Sequence, residues 1–213
     1  KAHDILKMVP VIFQTSMAKE KEILEGLQAG VDYYLTKPLK KDILLAIVKT
    51  ALSGHLIYRS LWKNLQNASD TCRLTRAGYF EIQTIAEGQE LAALLASICP
   101  RPDKIALGLW ELILNAIEHG NLGITYREKT ELIEKDIWYE EVERRMELPE
   151  NASKKVMIRF ESLDKDIRFV IRDHGSGFDW KAFEKLNPDR AFDPNGRGIL
   201  MARSISFDQI EYK

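Results

Sequence analysis

The sequence predicts two joined folds: an incomplete parallel α/β unit, followed by a larger α+β domain. Residues 9–52 alternate short apolar runs with amphipathic helical segments, which is the pattern of a parallel sheet with helical crossovers. Further along, long helical segments precede the apolar run "IRFVI", which leads into a glycine-rich loop. A helical stretch joins the two parts. We place the α/β unit at 1–53, the linker at 54–77 and the α+β domain at 78–213.

The composition is that of an ordinary globular protein, with 45% apolar residues, 30% charged residues and a net charge of −1. This near-neutral charge argues against a general nucleic-acid-binding protein. No apolar run approaches the roughly 20 residues that span a bilayer. Cys72 and Cys99 form no disulfide framework and lack metal-ligand spacing. We therefore expect a cytoplasmic protein with no membrane partner and no direct contact with nucleic acid.

The α/β unit contains two predicted strands, "VPVIFQTS" (residues 9–16) and "VDYYLTKP" (residues 31–38). An amphipathic helical segment follows each strand, at residues 18–30 and 39–52. Two strands and two helices cannot bury both faces of a parallel sheet. We therefore expect this unit to be incomplete.

The stretches "PVIFQTS" and "GLQAGVDYYLTKP" resemble the second half of a bacterial response-regulator receiver domain, which has a flavodoxin-like fold. The resemblance implies that Thr15 contacts a phosphoryl group, that Lys37 pairs with it as a cation, and that Tyr34 is the switch aromatic. It also implies a cis peptide bond at Lys37–Pro38 and an upstream sensor kinase as partner. The phosphorylatable aspartate belongs to the half that the resemblance does not cover. An ordinary strand-end threonine and a solvated lysine remain the alternative.

Residues 53–76 predict a helix that extends from the α/β unit into a linker. Its apolar stripe has two explanations, local packing or the pairing of two chains in a homodimer. The stripe consists of Leu56, Ile57, Leu61 and Leu65. After the linker we expect a strand, a turn at Glu87–Gly88 and a helix that ends at Pro100.

The segment "DKIALGLWELILNAIEHGN" (residues 103–121) predicts an amphipathic helix, with Asp103 as N-cap and Gly120 just beyond its end. One side of this helix is polar. A solvated face explains such a stripe, but an asparagine of middling helix propensity in mid-helix favours a second reason. The polar residues are Glu111, Asn115, Glu118 and His119.

Three separated motifs occur in order: "ELILNAIEHGN", "RDHGSGFDW" (residues 172–180) and "NGRGILMARS" (residues 195–204). They resemble the N, G1 and G2 boxes of the GHKL ATP-binding (Bergerat) fold, a layer of helices on a mixed sheet. The residues within these motifs are most similar to those of the anti-sigma-factor serine kinases and their receiver-fused relatives. The resemblance covers residues 78–213.

This resemblance implies that ATP and Mg²⁺ bind. Asp173 would accept a hydrogen bond from the adenine amino group, because an ionised carboxylate only accepts. Asn115 would place its amide oxygen on Mg²⁺. Glu111 would orient or deprotonate the attacking hydroxyl or water. Arg197 would either reach the terminal phosphate or point outward. The glycines expected to bring the backbone close to the nucleotide are Gly175, Gly177, Gly196 and Gly198.

Two other segments complete the prediction. Residues 180–198 have the composition of a mobile lid over the nucleotide. Residues 124–155 form an insertion that the compact kinases do not require. It is either a docking surface for a protein substrate or extra cover for the sheet. We expect an amphipathic helix in it, based on Leu132, Ile133, Ile137, Trp138, Val142 and Met146.

The leading functional interpretation is a signalling protein in which a receiver controls an ATP/Mg-dependent serine/threonine protein kinase. Its substrate would be a regulator such as an anti-sigma antagonist. No histidine occurs between Leu56 and Arg76, which argues against a conventional autophosphorylating sensor kinase. One alternative is a nucleotide-gated module that sequesters a sigma factor or another regulator. Another is an ATPase that drives a conformational cycle without a protein acceptor.

Overall fold

A computed structural model describes residues 9–16, 31–67, 72, 74–178 and 198–212. Two π-helical segments, Ala116–Asn121 and Ala202–Ser206, directly continue the third and the sixth helix. In chain order the strands and α-helices are β1 (Ile12–Thr15), β2 (Tyr33–Thr36), α1 (Lys41–Asn67), β3 (Ala77–Ile82), α2 (Ile85–Ser97), α3 (Pro102–Asn115), α4 (Tyr126–Glu134), α5 (Trp138–Met146), β4 (Val156–Ser162), β5 (Ile167–Arg172) and α6 (Gly198–Met201).

The first two strands, β1 and β2, pair in parallel, with Ile12 opposite Tyr33. Parallel pairing is what the alternation of strands and helices predicts, since parallel neighbours need a crossover between them. The crossover helix expected at residues 18–30 lies outside the described residues. The Lys37–Pro38 peptide bond is cis, as the resemblance implies.

Helix α1 joins the α/β unit to the following domain without a break, because it runs continuously through the predicted boundary at residue 53. Its first half buries Ile47 completely. Its second half buries Leu61 in the same apolar cluster as Leu91 of α2, and Ile57 packs against that cluster. Leu56, by contrast, is 63% exposed, so local packing explains only part of the predicted stripe. No helix among the described residues combines the length and apolar character that a membrane span requires.

The α+β domain is built on a three-stranded antiparallel sheet in the order β3-β4-β5. Along β4, Val156, Ile158 and Phe160 are fully buried, whereas Arg159 between them is exposed. This period of two means that one face of the sheet is covered and the other faces solvent. The covered face meets the apolar sides of α2 and α3.

The predicted turn at Glu87–Gly88 is wrong, because α2 has already begun at Ile85. Thr84 is the N-cap of a capping box: its hydroxyl accepts from the Glu87 backbone N–H at 3.2 Å, and the Glu87 carboxylate accepts from the Thr84 N–H at 2.9 Å. Gly88 lies inside the helix and is buried. A Cβ at this position would meet Ile113 Cγ2 at 2.9 Å, so the glycine allows α2 and α3 to pack closely.

Both predicted ends of α3 also need correction. Pro102 occupies the first turn, and Arg101 stands at the N-cap with no side-chain bond, so Asp103 is a first-turn residue and not the cap. At the other end the helix does not stop at Gly120, because the π-helical segment carries the chain to Asn121. Gly123, with φ of +63°, adopts the left-handed conformation just beyond it.

The insertion forms two short helices, α4 and α5, where one was expected. The break lies at Asp136, which has φ of +60°. Val142 of α5 is fully buried within the main apolar cluster, while Ile137 is 41% exposed. The insertion therefore covers the core. The other insertion residues that pack against the cluster are Leu132, Trp138 and Met146.

The buried side chain of Val142 allows the energetic role of the insertion to be measured. Val142→Ala should lower the free energy of unfolding by about 2 kcal/mol, because it leaves a cavity in the shared core. Val170→Ala is the matched control, since Val170 is 49% exposed on β5; it should cost less than about 1 kcal/mol. Urea unfolding of both variants gives the comparison. Equal losses would show that the insertion does not belong to the core.

Candidate nucleotide site

The second half of α3 carries the first two candidate residues. Glu111 and Asn115 lie one helical turn apart and are both half-buried. Asn115 is the last α-helical residue, because the wider π-helical turn begins at Ala116. Such turns are rare and change the direction of the side chains that follow. The residues after Asn115 consequently depart from the positions that a regular helix would give them.

The glycine-rich loop after β5 meets the end of this helix. Asp173 follows the last residue of β5, and its Oδ1 accepts a hydrogen bond from the Gly175 N–H at 2.7 Å. Its side chain lies against Gly120, where an added Cβ would come within 2.6 Å of Asp173 Cβ and overlap the carboxyl group. The carboxylate of Asp173 is thus held between a backbone donor and a residue that has no side chain.

Gly175 and Gly177 serve this loop in different ways. A Cβ on Gly175 would lie 2.8 Å from Gly120 Cα, so Gly175 lets two backbone segments touch. The sequence had suggested clearance toward a nucleotide for this residue. Gly177 has φ of +80°, a conformation that side chains rarely adopt, and no described atom would lie within 4 Å of its Cβ.

The third motif reaches the site at Gly198, the first residue of α6. A Cβ on Gly198 would overlap the Glu111 carboxylate and lie 3.0 Å from Glu111 Cδ. The structure therefore brings one residue of each of the other two motifs next to α3 or its extension: Asp173 against Gly120, and Gly198 against Glu111. Gly196 and Arg197 lie outside the described residues, as does most of the predicted lid.

Glu118 is a fully buried acid that the sequence analysis left within a solvated polar stripe. Its Oε2 pairs with Lys129 Nζ of α4 at 2.5 Å, and its Oε1 accepts a short hydrogen bond from Trp138 Nε1 of α5. The Lys129 ammonium also lies 5.8 Å from the centre of the Trp138 ring. Both carboxylate oxygens are satisfied, as a buried charge requires.

Asn121 is the second residue that the sequence analysis missed, and it is 3% exposed. Its Oδ1 accepts from the backbone N–H of His174 at 2.9 Å. Its carbonyl accepts from Lys154 Nζ, also at 2.9 Å. Asn121 therefore ties the residue after Asp173 to the end of the helix.

The electrostatic setting of Glu111 shifts the pKa of its carboxyl group upward. Burial raises the pKa of the Glu111 carboxyl above its ordinary value of 4.5, and the nearby Glu118 charge raises it further, while Lys129 partly offsets both. The Glu111 carboxyl group therefore holds its proton more tightly than an exposed glutamate does.

The proposed switch residues of the α/β unit lie at one edge of its strands. Thr15 ends β1 and Lys37 follows β2, and the Lys37 N–H donates to the Thr15 carbonyl at 2.9 Å. Tyr34 is 3% exposed and packs edge-on against Phe13. Carboxyl ends of parallel strands are where open α/β sheets bind ligands.

The raised pKa of Glu111 has a consequence for stability without nucleotide or metal. A raised folded-state pKa stabilises the protein below the unfolded value of 4.5, and this contribution is lost as the pH rises through the folded-state pKa. Glu111→Gln should therefore gain stability relative to the wild type as the pH rises above 4.5 and through the folded-state pKa of Glu111. Denaturant unfolding across this range measures the difference, with the exposed Glu90→Gln as control. A difference for Glu111→Gln that does not change with pH would contradict the prediction.

Comparison with known proteins gives one family. The model of the histidine kinase-like ATPase domain matches residues 82–213, more than half of the chain. No curated protein and no solved structure gives a significant match. An antiparallel sheet covered by α2 and α3 fits the GHKL-type sandwich of this family. The chain therefore belongs to the histidine kinase-like ATPase domain family, and ATP is the ligand that this membership implies.

Proposed function

We propose that the ATPase-type domain is a Mg²⁺-dependent serine/threonine protein kinase under the control of a receiver module. The observation that carries the proposal is the contact between Glu111 and Gly198. Gly198 opens a helix in the motif that resembles a phosphate-binding box, so the acid beside it lies where a terminal phosphate would react. A domain that only bound ATP would not need an acid there.

The two acids of the site have separate tasks in this proposal. Asp173, which is held against Gly120, accepts a hydrogen bond from the adenine amino group, because that group can only donate. Glu111, held against Gly198, receives the proton of the attacking hydroxyl. The position of the Glu111 carboxylate directly beside Gly198 supports this second task.

Mg²⁺ would be held by Asn115, whose amide oxygen is a ligand of the hard type that this cation prefers. Among the described residues, no three His, Cys, Asp or Glu side chains are grouped to hold a metal. Such a site fits a cation that takes most of its oxygens from nucleotide phosphates and water. The metal would supply charge neutralisation at the phosphates, and Asn115 would fix its position.

Receiver control is supported by the parallel strands β1 and β2 and by helix α1. Thr15 and Lys37 come to the same strand edge, where a phosphoryl group needs a donor and a cation. Helix α1 begins beside these strands and buries Leu61 in the core that also contains α3. A change at the strand edge therefore has a continuous helix through which to reach the ATP site. The expected partners are an upstream sensor kinase and a regulator such as an anti-sigma antagonist.

The kinase is tested with labelled ATP, Mg²⁺ and candidate regulators. Glu111→Ala should lower the rate of transfer to a partner serine or threonine by at least about 100-fold, because the base is lost. ATP affinity should change little. Glu90→Ala, at an exposed position of α2, is the matched control. Wild-type transfer rates in Glu111→Ala would contradict the kinase. A regulator that is bound without any label transfer would indicate a nucleotide-gated clamp.

The purine end of the site has its own test. Gly120→Ala should weaken ATP binding by about tenfold or more, because the new methyl group displaces the Asp173 carboxylate and its bond to the base. Gly54→Ala is the control: its Cβ would make only ordinary contact, 3.7 Å from the Tyr33 hydroxyl. Calorimetric titration gives both affinities. Unchanged binding by Gly120→Ala would exclude Asp173 as the adenine acceptor.

A further inference from the structure

We infer that the insertion between α3 and β4, residues 124–155, positions Asp173 and so sets the preference of the site for adenine. Two lysines of the insertion contact the short segment 118–121: Lys129 pairs with Glu118, and Lys154 donates to the carbonyl of Asn121. This segment contains Gly120, against which Asp173 rests. The inference rests on the proposed role of Asp173 as adenine acceptor. It makes Lys129, Lys154 and Asn121 positioning residues that do not touch the nucleotide.

The first connection runs from Lys154 through Asn121 to the glycine-rich loop. Lys154 Nζ donates to the Asn121 carbonyl and to Asn151 Oδ1, each at 2.9 Å. Asn121 Oδ1 in turn accepts from the His174 N–H. Because His174 directly follows Asp173, the backbone that carries the purine acceptor is fastened to a residue that the insertion holds.

The second connection runs from α4 and α5 to Glu118. Lys129 Nζ and Trp138 Nε1 each bond one oxygen of this fully buried carboxylate. A buried acid with two directed partners has little freedom to move unless its partners move with it. Glu118 lies two residues before Gly120, so the two helices of the insertion fix the turn on which Gly120 sits.

The fit between Gly120 and Asp173 makes these connections consequential. The carboxyl group of Asp173 fills the space of a missing side chain at Gly120, and Gly175 touches the same residue from the loop. Because there is no free space between Gly120 and Asp173, segment 118–121 cannot move without displacing Asp173. A displacement of about 1 Å is enough to misalign a hydrogen bond that reads a base. The insertion therefore acts on base recognition while remaining apart from the phosphates.

Two adjacent lysines provide a matched test. Lys154 is the positioning residue, whereas Lys155 pairs with Glu81 at 3.0 Å on the sheet. We measure the affinity of the whole chain for ATP and for ITP, whose base has a carbonyl oxygen in place of the amino group. Lys154→Met should lower the ATP affinity by about tenfold and leave the ITP affinity unchanged. Lys155→Met should behave as the wild type.

The ratio of the two affinities separates positioning from a general loss of structure. A destabilised fold would weaken both nucleotides together, so a folded Lys154→Met protein with the wild-type ratio overturns the inference. A wild-type protein that binds ATP and ITP equally would instead overturn the role of Asp173, on which the inference rests. If Lys154→Met does not fold, the double variant Glu118→Gln, Lys129→Met decides, because it leaves no unpaired buried charge. It too should lose the preference for ATP, and an unchanged preference would contradict the inference.

Discussion

The close approach of two backbone segments at Gly120 and Gly175 is the constraint on which the site depends. It brings the end of the α3 extension and the loop after β5 so near that neither Gly120 nor Gly175 has room for a side chain of its own. The space is occupied by the Asp173 carboxyl group, which also accepts a bond from the loop. Strand β5 and α3 share the apolar core, because Ile167, Phe169 and Ile171 of β5 pack against the cluster that contains α3. The same elements that form the apolar core therefore also position the residues of the site.

The same helix serves both ends of the site. Glu111 meets the start of α6, Asn115 lies one turn along, and Gly120 meets Asp173 little more than one turn further on. With a rise of about 1.5 Å per residue, the span from Glu111 to Gly120 is on the order of the length of a nucleoside triphosphate. A single rigid element thus spaces the proposed proton acceptor from the proposed purine acceptor. The π-helical turn adjusts the second half of that element without ending it.

The order of the three motifs was enough to predict the α+β domain, while the roles of Glu111, Asn115 and Asp173 stay predictions. Each motif is a short continuous stretch of residues, so it can be recognised without knowledge of the tertiary structure. The buried pair of Glu118 and Lys129 was not predictable in this way, because it depends on α4 folding back onto the π-helical turn. The bond from His174 to Asn121 joins residues 53 positions apart and is equally hidden. Thr84 and Glu87 have the spacing of a capping box, which marks the start of a helix. Gly88 nevertheless suggested a turn. The structure shows that this glycine is needed for close packing against Ile113.

The central claim is that Asp173 and Glu111 lie at opposite ends of one bound nucleotide. A crystal structure of the chain with Mg²⁺ and a non-hydrolysable ATP analogue tests it most directly. We expect the Asp173 carboxylate within hydrogen-bonding distance of the adenine amino group. We also expect Asn115 on the metal and Glu111 beside the terminal phosphate. A nucleotide bound with its base away from Asp173, or with its phosphates away from Glu111, would contradict it.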